Sequence, residues 1–327
     1  MDGMVYFFRV SYLLVIMILF VYGLLGNILV LTVGLSSRSS RKHRSYFSFL
    51  ILNLCTSDII SLCVIVFETW RLIFSDGKAW RTDHVMCRWY SYVMYSSMLS
   101  SVYFLVALSF ERVISHRENQ YFTNIVFNQR HKLIVFCIWG CSALFYLPML
   151  LLYNVDILVL SNRNYTICYD EWSDGTLRAS YYIASFVLTF LLPLTLMAFN
   201  YSRVLLVIRR VILSAERFPS HPLRSSARRL STIIILLVAA FIICWMPLNI
   251  VNLASVIVGT SIDARTFLTA YMITTIFACS NSCVNPTIYI FLSAKFRRNA
   301  KRTILTIARR ISYRCRSYRY YLVYRIK

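Results

Sequence analysis

Residues 280–291 read Ser-Asn-Ser-Cys-Val-Asn-Pro-Thr-Ile-Tyr-Ile-Phe and stand near the end of the last long apolar run of the chain. Two asparagines, a proline and a tyrosine are unusual in a segment whose neighbours are hydrocarbon-like. Asn281, Asn285 and Tyr289 are spaced by four, so on a helix they share one face. Pro286 removes a backbone donor and bends the helix. The carbonyls that the bend frees need side-chain or water partners. The stretch therefore predicts a distorted helix whose polar stripe is turned away from lipid and toward other helices.

Working outward, the 327 residues are 58% apolar, too apolar for an ordinary soluble domain. Runs of ~20 residues with few charges occur seven times, at Val10–Leu35, Tyr46–Phe74, Val85–Ser115, Leu133–Tyr153, Tyr181–Ile208, Leu230–Val258 and Phe267–Leu292. The first, fourth, sixth and seventh hold no Asp, Glu, Lys or Arg. The pattern predicts an all-α membrane protein, a bundle of seven transmembrane helices. The first run exceeds the roughly 7–15-residue apolar region of a signal peptide and lacks a clear small-residue cleavage site, so it is read as the first span. This divides the chain into a short extracellular N-terminus (1–9), a seven-span domain (10–292) and a basic tail (293–327).

Seven spans place the two ends on opposite sides. Of 35 basic residues, 26 fall after the first, third and fifth runs or in the tail, and 8 on the other side. By the positive-inside rule the N-terminus is outside and the tail cytoplasmic, as expected for a multi-pass plasma-membrane protein. The net charge of +22 is then mostly a topology signal. It suits anionic inner-leaflet lipid, not nucleic acid. Most of the ten cysteines lie within apolar runs and read as small packing residues. Cys87 and Cys168 lie on the oxidising side and can pair. Asn164-Tyr165-Thr166 is a glycosylation sequon on that same side.

Asp58, near the middle of the second run, is an ionisable residue inside the membrane and hence a functional candidate. A protonated carboxyl bonded to a neighbour is the structural alternative. On the third run, Cys87, Met94, Ser101 and Arg112 are separated by 7, 7 and 11 positions. At ~100° per residue they share a face. At 1.5 Å per residue Cys87 and Arg112 lie ~37 Å apart, so they occupy opposite membrane surfaces with Ser101 between them, about level with Asp58. Glu111-Arg112 alone would read as a solvated helix end. Phe241-Ile-Ile-Cys-Trp-Met-Pro247 places a proline bend beside Trp245, and Pro193 and Tyr201 stand in the fifth run. Helices that bend at prolines and meet at a polar seam can have two packings of similar energy, as a switch requires.

Taken in order, these residues resemble those of rhodopsin-like (class A) G-protein-coupled receptors over essentially the whole chain. Gly26-Asn27 is similar to the signature of the family's first helix, and Leu54-Cys55-Thr56-Ser57-Asp58 to that of the second. Glu111-Arg112-Val113 resembles D/E-R-Y, Cys244-Trp245-Met246-Pro247 resembles C-W-x-P, and Asn285-Pro286-Thr287-Ile288-Tyr289 resembles N-P-x-x-Y. Trp139, Pro193 and Tyr201 match the fourth and fifth helices, and Phe296-Arg297 suits the start of a short amphipathic eighth helix. The resemblance implies a Cys87–Cys168 disulfide and an allosteric sodium ion at Asp58, Ser101, Asn281, Ser282 and Asn285, with no other cofactor. It implies a switch in which Arg112 leaves Glu111 and meets a heterotrimeric G protein. Tyr201 and Tyr289 then swing toward Arg112, and Phe241, Trp245, Pro247 and Pro286 relay the ligand. Arrestin is an implied second partner. The protein is expected not to be an enzyme. Val113 stands where the family usually has tyrosine, and Trp80 lacks the usual W-x-F-G surroundings.

Met94 occupies the position where amine receptors carry an aspartate, and Cys279 the position of the opsin lysine, which argues against both ligand classes. Trp245–Asn252 and Ser282–Pro286 are similar to neuropeptide receptors of the neuropeptide Y, neuropeptide F and RFamide group. A peptide pocket is then expected at Met94, Trp245 and Asn249, with Glu68 at its rim able to pair with an arginine or amine. Asp170, Glu171 and Asp174 would attract a cationic peptide, although such loop acids are more often solvated surface. Val256 replaces the acid that neuropeptide Y receptors use. A constitutively active or scavenging receptor, or one for a small non-amine ligand, is the alternative. A transporter would share buried charges between two halves, and the five histidines all lie in loops or at helix ends, so no metalloenzyme site forms. Cys315 is a palmitoylation candidate.

Overall fold

The structure, a computed structural model, describes residues 2–36, 46–74, 84–115, 120–160, 163–214, 222–257, 263–292, 296–306 and 308–309. The chain runs α1 (Asp2–Ser36), α2 (Tyr46–Phe74), α3 (His84–Ser115), α4 (Gln120–Tyr146) and a single turn α5 (Met149–Leu152). An antiparallel hairpin follows, β1 (Tyr153–Leu160) and β2 (Arg163–Asp170). Then come α6 (Gly175–Phe186), a π-helical turn (Val187–Leu191), α7 (Leu192–Ser214), α8 (Pro222–Ile257) and α9 (Ala264–Leu292). Residues 296–306 form a last helix, α10. Among the described residues seven helical stretches are long and apolar enough to cross a membrane, α6, the π turn and α7 together making the fifth.

The third span is the most enclosed, with 78% of its most apolar window buried. Val102 and Phe104 of α3 are fully buried and join Leu50 and Leu54 of α2, Tyr201 and Val204 of α7, and Phe241 and Trp245 of α8 in one core. Elsewhere the apolar side chains point outward: Phe136, Leu144, Leu151, Phe199 and Ile257 are more than half exposed, as a lipid-facing surface requires.

The outer side of the fourth span differs from expectation. One helix was predicted over Leu133–Tyr153. Instead α4 starts at Gln120 and ends at Tyr146, just before Pro148, whose ring and missing N–H disfavour continuation. The chain then enters the hairpin, with Val155 paired to Cys168 and Ile157 to Thr166. The β-branched residues of Tyr-Asn-Val-Asp-Ile-Leu-Val-Leu favour a strand, a signal hidden beside the longer apolar run. The fifth span begins at Gly175, six residues early, because Asp174 N-caps it: its carboxylate accepts from Thr176 N at 2.8 Å. The first helix starts at Asp2, so the nine residues expected as an outer tail are nearly all helical.

Candidate functional site

Asp58 lies fully buried at mid-bundle. Its Oδ1 accepts from Ser101 Oγ of α3 at 2.7 Å and from Ser282 Oγ of α9 at 3.1 Å; its Oδ2 accepts from Asn285 Nδ2 at 3.1 Å. A carboxylate withdrawn from water is stabilised by such donors. Pro286 sits inside α9 one residue beyond Asn285. Asn281 is buried in the same stretch, and among the described residues it is not one of the carboxylate's three donors. Four of the five predicted seam residues are thus joined directly.

A second clamp was legible only as a signature. Asn27 Nδ2 donates to Gly23 O at 2.8 Å and to Ser282 O at 3.0 Å, tying α1 to the same turn of α9. Its Oδ1 is buried without a partner among the described residues. The approach is close because Gly26 lies against Pro286: a Cβ there would stand 2.9 Å from Pro286 Cβ and Cγ. Toward the outer side, Ser61 and Ser97 hydroxyls meet at 2.9 Å. Trp139 Nε1 donates to Asn53 Oδ1 at 3.2 Å, joining α4 to α2.

At the end of α3 away from Cys87, Arg112 occupies the last turn with Glu111 just before it, both half-buried. Tyr201 of α7 is buried and Tyr289 of α9 half-buried. Asn200 Nδ2 donates to Ser109 Oγ at 2.9 Å, holding α7 to α3 one turn above.

Between the seam and the hairpin stands an aromatic cluster. Phe241 stacks on Phe190 of the π turn (centroids 5.9 Å apart) and lies 6.5 Å from Trp245. Asn249 Nδ2 donates to Trp245 O at 2.9 Å, and its Oδ1 accepts from Thr189 Oγ1 at 3.3 Å. Pro247 lies inside α8. The π turn was not foreseen, and neither was its support: Tyr103 OH of α3 donates to Leu188 O at 3.1 Å. Single π turns recur at functional sites. Pro193, which cannot donate to a carbonyl of the preceding turn, was the available signal.

The disulfide Cys87–Cys168 forms, Cα atoms 5.7 Å apart, and pins β2 over the start of α3. Beneath the hairpin is a narrow cavity of about 40 Å³. Its wall includes Tyr95, Tyr153, Tyr182, Trp245, Asn249 and Asn252 and, among the described residues, no Asp, Glu, Lys or Arg. Of the predicted pocket residues, Trp245 and Asn249 line it. Met94 is buried outside it against Tyr90 OH (2.9 Å), while Tyr95 and Met98 take its place. Glu68 lies beside Tyr90, also away from the cavity. Asp170 accepts from Trp172 Nε1 at 2.6 Å and pairs with Arg178 at 3.0 Å. Glu171 accepts from Asn154 Nδ2 at 2.9 Å, and Asp174 is the helix cap. Asn164 lies in β2 opposite Val159. Cys315 and Trp80 fall outside the described residues.

A seven-span bundle, a buried carboxylate seam, an arginine near one end of α3 and a disulfide at its other end are now together in one chain. The family of the 7 transmembrane receptor (rhodopsin family) matches residues 26–289. The chain belongs to that family. It is a receptor and not an enzyme, a multi-pass membrane protein like its relatives. It is 29% identical to human galanin receptor type 1 over 292 residues, covering 88% of this chain and 80% of that one. It is 29% identical to the tachykinin-like peptides receptor 99D of Drosophila melanogaster over 287 residues (84% and 53%). Against the human B2 bradykinin receptor it is 26% identical over 288 residues (86% and 71%). The expected resemblance to neuropeptide receptors therefore holds.

Proposed function

We propose that the chain is a plasma-membrane receptor that binds an extracellular peptide and activates heterotrimeric G proteins. What supports this most is its similarity, over most of its length, to receptors named for galanin, tachykinin-like peptides and bradykinin. The uncharged cavity wall adds a physical reason. An amine ligand needs a counter-charge, whereas tyrosine and asparagine hydrogen-bond the neutral amides of a peptide. In this reading the ligand presses on Trp245 and Asn249, with Tyr95 and Met98 beside them in the cavity wall and the acids Asp170, Glu171 and Asp174 on the segment above. The relay through Phe241 loosens α8, and Arg112 parts from Glu111 to meet the G protein beside Tyr201 and Tyr289. The neuropeptide Y, neuropeptide F and RFamide subgroup is one proposal within this class.

The seam fits a sodium ion by its donor chemistry. Asp58 supplies a carboxylate, Ser101 and Ser282 supply hydroxyls, Asn281 and Asn285 supply amide oxygens, and the buried Asn27 Oδ1 lacks a partner nearby. The ion would neutralise Asp58 and favour one packing of α2, α3 and α9. The basic-residue distribution supports an outer N-terminus and a cytoplasmic tail, with arrestin and anionic lipid meeting the inner face, Asn164 glycosylated and Cys315 palmitoylated.

The test is a second-messenger assay in cells displaying the chain. The panel spans galanin-, tachykinin-, bradykinin- and somatostatin-like peptides and amidated neuropeptides, with Arg112→Ala alongside. A peptide response that Arg112→Ala loses is expected. A raised baseline that no peptide changes, and that the variant abolishes, would replace the reading with constitutive signalling. Asp58→Asn should remove the salt sensitivity of agonist binding; retained sensitivity rules out sodium there.

A further inference from the structure

Successive residues of a strand point to opposite faces, and the hairpin uses both. Tyr153 lines the narrow cavity, whereas Asn154, next along β1, lines a separate pocket of about 330 Å³. That is near the lower end of small-ligand sites, roughly 300–1,000 Å³. Its wall includes Arg88 of α3, Leu151 and Leu152 of α5, Asn154 of β1, and Glu171 and Trp172 just after β2.

A cation and an anion thus face one space, yet among the described residues no hydrogen bond or ion pair joins Arg88 to Glu171. Each stands on its own support. Arg88 Nε donates to Tyr153 O at 2.9 Å, and the two terminal guanidinium nitrogens have no partner among the described residues. Glu171 N donates to Leu152 O at 2.8 Å, and its Oε2 accepts from Asn154 Nδ2 at 2.9 Å. Asn154 is itself fixed: its Oδ1 accepts from Val155 N at 3.0 Å and meets His84 Nδ1 at 2.5 Å. The Glu171 side chain is exposed, and its Oε1 has no partner among the described residues. The neighbouring acids are committed elsewhere, Asp170 to Arg178 and Trp172, and Asp174 to the cap of α6.

Opposite charges that share a pocket and are held apart form two preorganised half-sites. A simple anion would serve Arg88 and be repelled by Glu171; a simple cation would meet the reverse. A guest carrying both charges satisfies both residues. The planar guanidinium suits a carboxylate or phosphate, the carboxylate suits an ammonium, and the two leucines and Trp172 wall the rest of the guest. We infer that this pocket binds a zwitterion, its anionic group at Arg88, its ammonium at Glu171 and its apolar part against Leu151, Leu152 and Trp172. A free α-amino acid and the head group of phosphatidylethanolamine share this chemistry. That either reaches the site from the extracellular side rests on the proposed orientation of the chain. The guest would act on β1, the strand that carries Tyr153 into the ligand cavity.

The experiment is saturation-transfer NMR on the purified full chain in an uncharged detergent, with empty micelles as the blank. The probes are L-phenylalanine, N-acetyl-L-phenylalanine, which lacks the ammonium, and L-phenylalaninamide, which lacks the carboxylate. Wild type should bind the amino acid about fivefold more tightly than either derivative, the effect of one partly exposed ion pair. Glu171→Gln, which keeps an acceptor for Asn154, should weaken L-phenylalanine about fivefold and leave the N-acetyl derivative unchanged. Arg88→Gln should weaken it equally and leave the amide unchanged, since each variant removes the partner of a charge that its derivative already lacks. Should a variant fail to fold, the three probes on wild type carry the test alone. Displacement of L-phenylalanine by phosphatidylethanolamine, but not by phosphatidylglycerol, assigns the pocket to the lipid head group; no displacement assigns it to the free amino acid. Equal binding of the three probes overturns the zwitterion. So does an equal loss of the amino acid and the N-acetyl derivative in Glu171→Gln, which would make that residue structural. Loss of binding in Trp245→Ala, with both charge variants unaffected, would move the guest to the ligand cavity and overturn the site. No binding of L-phenylalanine at millimolar concentration, together with equal retention of the two lipids, overturns it as well. The assay uses no agonist, so its failure leaves the peptide-receptor reading standing.

Discussion

Asp58 and Asp170 are both carboxylates held by three or fewer partners, yet they are compensated in opposite ways. Asp58, at mid-bundle, has two hydroxyls and an amide and no cation. Asp170, at the end of β2 in the hairpin, has the Arg178 guanidinium and the Trp172 indole. The outer acid is satisfied within the chain, and the third-exposed arginine that serves it also reaches water. The inner acid is solvated only by neutral dipoles, in a place where an unpaired charge is costly. The difference teaches where each region is open to change. The seam holds its carboxylate by neutral donors alone, which is the basis of the proposed sodium ion. The outer region is built to hold a hairpin over an uncharged cavity.

The largest effect expected is on the outer region. Cys168→Ser releases a link between positions 81 apart, worth about 4 kcal/mol of unfolded-chain entropy. It should abolish ligand binding or surface display, read by flow cytometry and binding. A variant with normal display and binding would break the claim that the hairpin frames the outer site. Next, Asp58→Ala leaves three buried donors without an acceptor and should lower stability by about 3 kcal/mol, seen as a fall in thermal unfolding temperature in detergent. Asp58→Asn, which keeps an acceptor oxygen, should lose less than half as much. Third, Gly26→Val drives a side chain into Pro286 and should cost about 2 kcal/mol, measured in the same way. Smallest, Asp170→Ala should cost about 1 kcal/mol, since Arg178 can turn to solvent. If Asp170→Ala proved as damaging as Asp58→Ala, the contrast between the two carboxylates would collapse.

The seam was readable from spacing because each of its members sits on a helix with a fixed period. A separation of seven or eleven along α3 decides which face Ser101 and Arg112 share before any contact is known. Proline and asparagine inside an apolar run likewise announce an inward stripe. The glycine contact between α1 and α9 was visible as Gly26-Asn27 but not as a steric requirement, because the neighbour that makes it one, Pro286, is 260 positions away in the chain.

The amino-acid sequence by itself determined the seven spans, the place of the inner polar residues and the pair of outer cysteines. These follow from hydrocarbon thickness, helical period and the cost of charge in lipid. Only the tertiary structure decided that Tyr153–Asp170 folds as a hairpin, that Tyr95 and Met98 line the cavity while Met94 does not, and that Tyr103 supports a π turn at Leu188. Each of these depends on which helix lies opposite and at what distance. Short apolar strands, single turns and cavity walls are set by such packing, and local sequence carries only a weak trace of it.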